Sequence, residues 1–535
     1  MKKQITILTF ILIALVSKAQ DGYFVSFTDK NNSPFSLDKP GDYLSQRAID
    51  RRSRQNIAIL EEDLPVNQSY VDSLIKAGID VRHTSKWLNG AIVFSNNTEL
   101  MDTLMRVSFI NSVEKTNPST SYSTRSKFEK DYPLLKNSSN NEYGESQTQI
   151  ETVNGHKLHE RDFKGHDLLI AVIDAGFYKV DELPLFQHLW DNERIIGTKD
   201  FVNPQSNIFD EHTHGMNVLS IIGGYTEQEY IGSAPDASFW LLRSEDVSSE
   251  HPIEPDYWIC AAEFADSAGV DIINTSLGYY EFDSPSTSYS YADMNGSTRI
   301  SRASDIAASK GMLIVTSAGN EGNGNWQYIG APADAKNCLA VGAMNADSTK
   351  ANFSSIGPSA DFRIKPEISA MGVAVAYQGP YASIRKGNGT SFSAPIISGL
   401  AACLWQSMPY KTADEIRDLI IQGAHQTDNP DNEFGYGIAN FDEAYHVDVP
   451  NLKNDKVKCQ VSPNPFSNQL KIRSNIAQSF TVSIVDVIGN LKYQQTHHQS
   501  KVIVINTLGH LPRGLYIITI ENKSFKQHVK VIKSH

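Results

Sequence analysis

Ser391 stands in the run Gly389-Thr390-Ser391-Phe392-Ser393-Ala394-Pro395, directly ahead of a small and apolar stretch, residues 396–404. A hydroxyl at the mouth of a buried helix lies beside free N–H groups and the positive end of the helix dipole, which favour negative charge developing nearby. Ser393, Ala394, Ser398, Gly399, Ala401 and Ala402 are small enough for neighbouring elements to approach that helix closely. The pattern places Pro395 in the first turn, where a missing N–H costs nothing. Alone, the run reads equally well as the cap of a core helix. Two more residues shift that balance. Asp174 follows the apolar run 168–173, and His214 precedes the apolar segment 216–222. Singly, an Asp after a strand makes a turn or cap, and a His at a helix start is structural. Together they supply what a serine nucleophile needs: a base to take its proton, and a carboxylate to hold that base in one tautomer.

The elements that must position these residues are legible as a change of texture. Apolar runs at 168–173, 239–242, 270–274, 312–316 and 339–342 suit parallel strands buried on both faces, with intervening helices as crossovers. Catalytic groups in such sheets gather outside the carboxyl ends of the strands. Ahead of this region, residues 23–27, 90–94 and 109–114 read as strands, and 47–54, 69–77 and 98–105 as helices, which makes 20–115 a small α+β domain. Residues 116–154, rich in Ser, Asn, Thr and Tyr, read as an exposed linker with a processing site. Beyond the region, 456–535 alternate Thr, Val and Ile between turns at Asn464-Pro465, Gly489-Asn490 and Pro512-Arg513-Gly514. That predicts a small all-β sandwich, too short for many long strands.

Charge and composition narrow the class. With 48 basic and 61 acidic residues the net charge is −13, spread along the chain with no basic block for nucleic acid. Lys2 and Lys3, an apolar run at 5–16 and Ser17-Lys18-Ala19 predict a secretory signal peptide over 1–19. No segment is apolar for long enough to span a membrane as a helix. Cys260, Cys338, Cys403 and Cys459 match neither a zinc site nor a disulfide framework and read as small buried hydrophobes. A Cys260–Cys338 bridge is the minor alternative in an exported chain.

Three motifs in the order Asp, His, Ser resemble those of the subtilisin-like serine peptidases. They are Ala171-Val172-Ile173-Asp174-Ala175-Gly176, His214-Gly215-Met216-Asn217-Val218-Leu219-Ser220, and the Ser391 run. The resemblance implies Asp174, His214 and Ser391 as the triad, with His214 rather than His212 because Gly215 follows it. It implies Asn320, in Ser317-Ala318-Gly319-Asn320-Glu321-Gly322, as oxyanion donor together with the Ser391 N–H. It implies Ser276, Leu277, Gly278, Ala318 and Gly319 as substrate-binding residues, and a three-layer α/β fold with a mostly parallel sheet over 155–448. Met216, Asn217 and Ser220 depart from the usual residues behind the histidine. No cofactor is required for the chemistry. Asp283 and Asp293, in the loop 279–299, are weak calcium candidates beside a plain solvated loop.

The first domain resembles the inhibitory propeptide of such enzymes. The tail, with Val461-Ser462-Pro463-Asn464-Pro465-Phe466 and Leu511-Pro512-Arg513-Gly514-Leu515-Tyr516, resembles the type IX secretion sorting domain of Bacteroidetes, although Cys459 and Ser462 are atypical. The implied partners are peptide substrates, the chain's own propeptide and the type IX machinery, at the cell surface or beyond it. The rival is a catalytically silent binding protein with the same fold. An α/β-hydrolase esterase fails for want of Gly-x-Ser-x-Gly around Ser391, and a metallopeptidase for want of His-Glu-x-x-His.

Overall fold

The computed structural model describes residues 20–119, 127, 142–448, 459–522 and 525–534, so the signal-peptide segment and most of the linker lie outside the described residues. The chain divides into two units, one through Ala444 and one from Tyr445 onward.

The first unit begins with β1 (Asp21–Phe27), α1 (Gln46–Arg54), α2 (Gln68–Lys76), β2 (Asp80–Ser85), β3 (Gly90–Ser95), α3 (Thr98–Leu104) and β4 (Ile110–Asn117). Its helices start where the sequence offers caps: Ser45, Asn67 and Asn97 accept from Ala48, Ser69 and Leu100 N–H groups. The antiparallel sheet runs β2-β3-β1-β4. Alternation divides its side chains between two cores. Tyr23, Val25 and Phe27 face the domain's own core, whereas Phe24, Ile92 and Phe94 join that of the large sheet behind it. β2, which the sequence reading missed, carries exposed and half-buried polar residues with no apolar alternation.

The large sheet contains β5 (Leu169–Asp174), β6 (Ile195–Asp200), β9 (Ser238–Arg243), β10 (Ile272–Thr275), β11 (Leu313–Ser317), β12 (Leu339–Met344) and β13 (Ile368–Met371), in the order β13-β12-β11-β10-β5-β9-β6. Every neighbouring pair in it runs parallel. Ahead of β5 come α4 (Gln147–Glu151) and α5 (His156–His159); between the strands come α6 (Gln187–Asp191), α7 (His214–Gly223), the short pair β7 (Tyr225–Thr226) and β8 (Tyr230–Ile231), α8 (Ile253–Ala268) and α9 (Arg299–Ser309). After them follow the hairpin β14 (Val375–Gly379) and β15 (Ser383–Gly387), α10 (Thr390–Ser407), α11 (Ala413–Gln422) and α12 (Phe441–Asp448). Leu169, Ala171 and Ile173 face α8 and α9, while Ile170 and Val172 are equally buried on the other face, toward α7 and α10. Helices on both faces complete the three layers. The end of the expected linker is not exposed chain: Gln149 and Ile150 in α4 are buried, and the Gln149 amide exchanges hydrogen bonds with Ala376 at 2.8 and 3.1 Å. All four cysteines are free and buried, so Cys260 and Cys338 are not bridged.

The second unit holds β16 (Cys459–Ser462), β17 (Leu470–Asp486), β18 (Leu491–Ile505), β19 (Gly514–Asn522) and β20 (Phe525–Lys533). Two of these strands, β17 and β18, are long, with 17 and 15 residues. β17 pairs with β18 along one edge; along the other it pairs first with β16 and then with β19. One hydrogen-bonded antiparallel sheet therefore surrounds the core of Leu470, Ile472, Val482, Ile484, Ile518 and Val531.

Candidate active site

Asp174 closes β5 at the carboxyl edge, fully buried, and its Oδ1 lies 2.7 Å from His214 Nδ1. His214 is the first residue of α7. A side chain at position 215 would place its Cβ 2.4 Å from Gly176 O and 2.9 Å from the Asp174 Cβ, so only glycine lets the helix start this close to the carboxylate. His212 does something else: its Nδ1 accepts the His214 N–H at 3.2 Å, capping the helix. The unusual residues behind the histidine tie α7 to the hairpin. Ser220 Oγ donates to Asn217 O at 2.6 Å and accepts from Gln378 N at 2.8 Å.

Ser391 is the second residue of α10, and its Oγ donates to Ser276 O at 3.2 Å. Pro395 is the sixth residue of that helix, not part of its first turn as the sequence suggested. Its missing N–H thus removes the helical bond that would reach Ser391 C=O. That carbonyl instead accepts Ser276 Oγ at 2.9 Å, which locks the nucleophile's backbone to the segment after β10. Further along α10, Gly399 packs so tightly on Ser233 that a Cβ there would lie 2.0 Å from its hydroxyl.

Asn320, after β11, has its amide orientation set by two bonds to Oδ1, from Thr390 N and Thr390 Oγ1, both 2.9 Å. The amide nitrogen is left facing the cleft. A Cβ built on Gly389 would lie 3.6 Å from Asn320 Nδ2 and 3.7 Å from Ser391 N, so the two nitrogens flank one space. Gly389 adopts φ +150°, a conformation other residues rarely take. Phe392 stacks between the His214 ring and Tyr377, with centroids 6.3 and 4.8 Å away.

Ser276, Leu277, Gly278, Gly319, Asn320 and Ser391 line one cavity of about 130 Å³. Ala318 does not: it is buried behind the wall, and its N–H is bonded to Val341 O at 3.0 Å. Asp283 and Asp293 are spent on backbone, accepting from Glu250 N and Ser290 N at 2.8 Å each. Among the described residues the acidic group whose oxygens converge is Glu245, Glu250 and Glu254, which the sequence reading passed over. Its signal was positional, since Glu245 lies two residues past the carboxyl end of β9. A larger open cavity, about 800 Å³ and lined by His159, His188 and Tyr225, lies away from Ser391. Burial pushes the His159 imidazole down to about 4, and with Tyr143 and Ser233 as partners it is a neutral structural group.

The N-terminal domain docks on the outer helices through charges. Asp266 of α8 receives Arg51 at 2.6 Å, Arg52 at 2.8 Å and Lys86 at 2.8 Å. Glu263, one turn earlier, accepts Ser85 Oγ at 2.6 Å and the Lys86 and Trp87 N–H groups at 2.8 and 3.1 Å. Arg299 of α9 pairs with Glu114 and, at 2.9 Å, with Asp256. Arg51 and Arg52 of α1 are fully buried in this interface, although nothing in the sequence of that helix marks them for burial.

A parallel sheet carrying a buried Asp–His pair, a serine at a helix mouth and the Asn320 and Ser391 nitrogens around one space at its carboxyl edge defines a serine-hydrolase architecture of the subtilisin type. The chain belongs to the Subtilase family (peptidase S8), whose profile matches residues 165–437. Residues 22–131 match the Bacteroidota peptidase S8 propeptide domain, and 460–534 the secretion-system C-terminal sorting domain. Subtilisin of Bacillus pumilus is 30% identical over 275 residues, 51% of this chain and 88% of that protein. Subtilisin DY of Bacillus licheniformis is 28% identical over 290 residues (54% and 93%), and subtilisin NAT of Bacillus subtilis subsp. natto 29% over 299 residues (55% and 70%). The protein is a secreted serine peptidase with a propeptide and a sorting tail. No described helix is long and apolar enough to cross a membrane.

Proposed function

We propose that the chain is an endopeptidase that hydrolyses peptide bonds through an acyl-enzyme on Ser391. The observation that carries this is the hydrogen bond between buried Asp174 and His214, whose ring stacks on Phe392, the residue after Ser391, with the Ser391 and Asn320 nitrogens flanking one space. Substrate extends along Ser276-Leu277-Gly278, where main-chain hydrogen bonds hold it largely whatever its side chains. The Ser391 hydroxyl turns from Ser276 O and attacks the carbonyl carbon as its proton passes to His214 Nε2. Asp174 keeps Nδ1–H directed at itself and stabilises the imidazolium. The carbonyl π electrons move onto oxygen, which the Asn320 amide and the Ser391 N–H receive. They return to expel the amine, which takes the proton from His214. Water then repeats the sequence on the acyl-enzyme and frees Ser391. No cofactor enters the scheme.

In the same reading, residues 1–19 direct export, the N-terminal domain inhibits the enzyme until the linker is cut, and the tail engages the type IX machinery. Ser391→Ala removes the nucleophile, so casein hydrolysis and fluorophosphonate labelling are expected to vanish. Unchanged turnover or labelling in that variant refutes the assignment, and a processed wild-type chain that takes no label marks a silent binding protein. Deletion of 456–535 is expected to strand the protein in the periplasm; normal export of the truncated form refutes the sorting role.

A further inference from the structure

The wall of the Ser391 cavity is acidic at one end. Glu245 and Glu250 line it, and Glu254, in the first turn of α8, lies behind them. Oxygens of the three carboxylates lie within 4.8 Å of one another. Their side chains are 3%, 23% and 1% exposed. Neutral donors hold them in place. Tyr279 donates its hydroxyl to Glu245, and Glu254 accepts Asp246 N at 2.8 Å and His251 N at 3.1 Å. Three carboxylates sharing a desolvated site repel one another, and the arrangement calls for a cation. Burial and the neighbouring carboxylates push Glu254 well above its ordinary value; burial, partly offset by a lysine, pushes Glu250 up to about 7.

That lysine is Lys127, which falls within the propeptide match. Its ammonium contacts Glu254 most closely, with Glu250 at 3.2 Å and Glu245 at 3.4 Å, and the side chain is only 7% exposed. It lines the same cavity as Ser276, Gly278 and Ser391. A propeptide residue thus lines the Ser391 cavity, a few ångströms from carboxyl groups that the mature enzyme keeps. We propose that Glu245, Glu250 and Glu254 form a specificity subsite that selects a lysine or arginine side chain of the substrate, with Lys127 as its occupant before processing. The inference rests on the peptidase reading and adds the substrate class to it.

The test uses the secreted, processed enzyme and peptides bearing Lys, Arg, Met, Gln or Glu at each position on the acyl side of the scissile bond. At one position Lys and Arg are expected to exceed Met in kcat/KM by at least about tenfold, as coupling across a close desolvated charge pair implies. Glu250→Gln, the most exposed of the three and so the mildest change, is expected to cut that ratio severalfold, and Glu254→Gln to cut it further. Turnover without any basic preference overturns the subsite and leaves the peptidase reading standing. Calorimetric binding of the same peptides to Ser391→Ala gives a readout independent of turnover. Tighter binding of the basic peptide there, with no turnover by the wild type, keeps the subsite and sinks the peptidase reading. Calcium-dependent turnover with no basic preference marks the cluster as a metal site and also overturns the proposal.

Discussion

Asp266→Asn should detach the propeptide without weakening the enzyme. In the docked state this carboxylate is fully buried and faces Arg51, Arg52 and Lys86, all from the N-terminal domain. The isosteric amide keeps the shape but leaves cations buried without their counter-charge, a change that costs about 3–5 kcal/mol in buried pairs. Arg52 keeps Asp63 at 2.9 Å, so the lower end applies. About 3 kcal/mol corresponds to a rise of roughly 10²-fold in the Ki of the propeptide segment added in trans. The cations regain water when the propeptide leaves, so the cost falls on docking, and the thermal midpoint of the processed variant should stay close to wild type. Acid gives a second signature. Burial alone would raise the Asp266 pKa, but Lys86, Arg51 and Arg52 overcome it and hold the group well below its ordinary 3.8. A group depressed in the complex contributes affinity above its free pKa and loses it as pH falls below about 4. Glu263 is shifted upward by burial, so its contribution runs the other way, weakening docking as pH rises. Titration of Ki should therefore show an acid-side loss that Asp266→Asn abolishes. An unchanged Ki in the variant, or an unchanged acid limb, refutes the account of docking.

Asn320→Ala removes one of the two nitrogens flanking that space and is expected to lower kcat by about 10²–10³-fold with little change in KM, read by steady-state hydrolysis of a chromogenic peptide. Gly389→Ala sets a methyl 3.6 Å from Asn320 Nδ2, in the space the oxyanion needs, and strains φ +150°. Activity should fall at least as far while circular dichroism shows a folded enzyme; retained activity argues against that space as the oxyanion site. In the tail, Ile518→Ala empties a fully buried position and should cost about 2–5 kcal/mol, seen as a lower urea midpoint for that unit.

The apolar runs announced the strands of the large sheet because strands buried on both faces leave no room for polar residues. Both edge strands escaped that reading: β6 because half of its side chains meet solvent, and β13 because its buried run Ile368-Ser369-Ala370-Met371 is short and broken by a serine. Glu263 and Asp266 carried no local mark either. A carboxylate on a helix looks solvated until the domain that covers it is in place. Pro395 was misplaced by a turn because the helix begins at Thr390, before the apolar pattern starts.

By itself the order of residues determined the chemistry on offer at Asp174, His214 and Ser391, each where an element starts or stops, and the family resemblance added Asn320. Short-range rules of capping, turns and buried strands act over a few residues and can be read there. Only the tertiary structure decided what surrounds them. Ser276 Oγ meets the Ser391 carbonyl across 115 positions, and Lys127 meets Glu254 across 127. Such contacts depend on strand order and domain docking, which burial of the whole chain sets and no local pattern encodes.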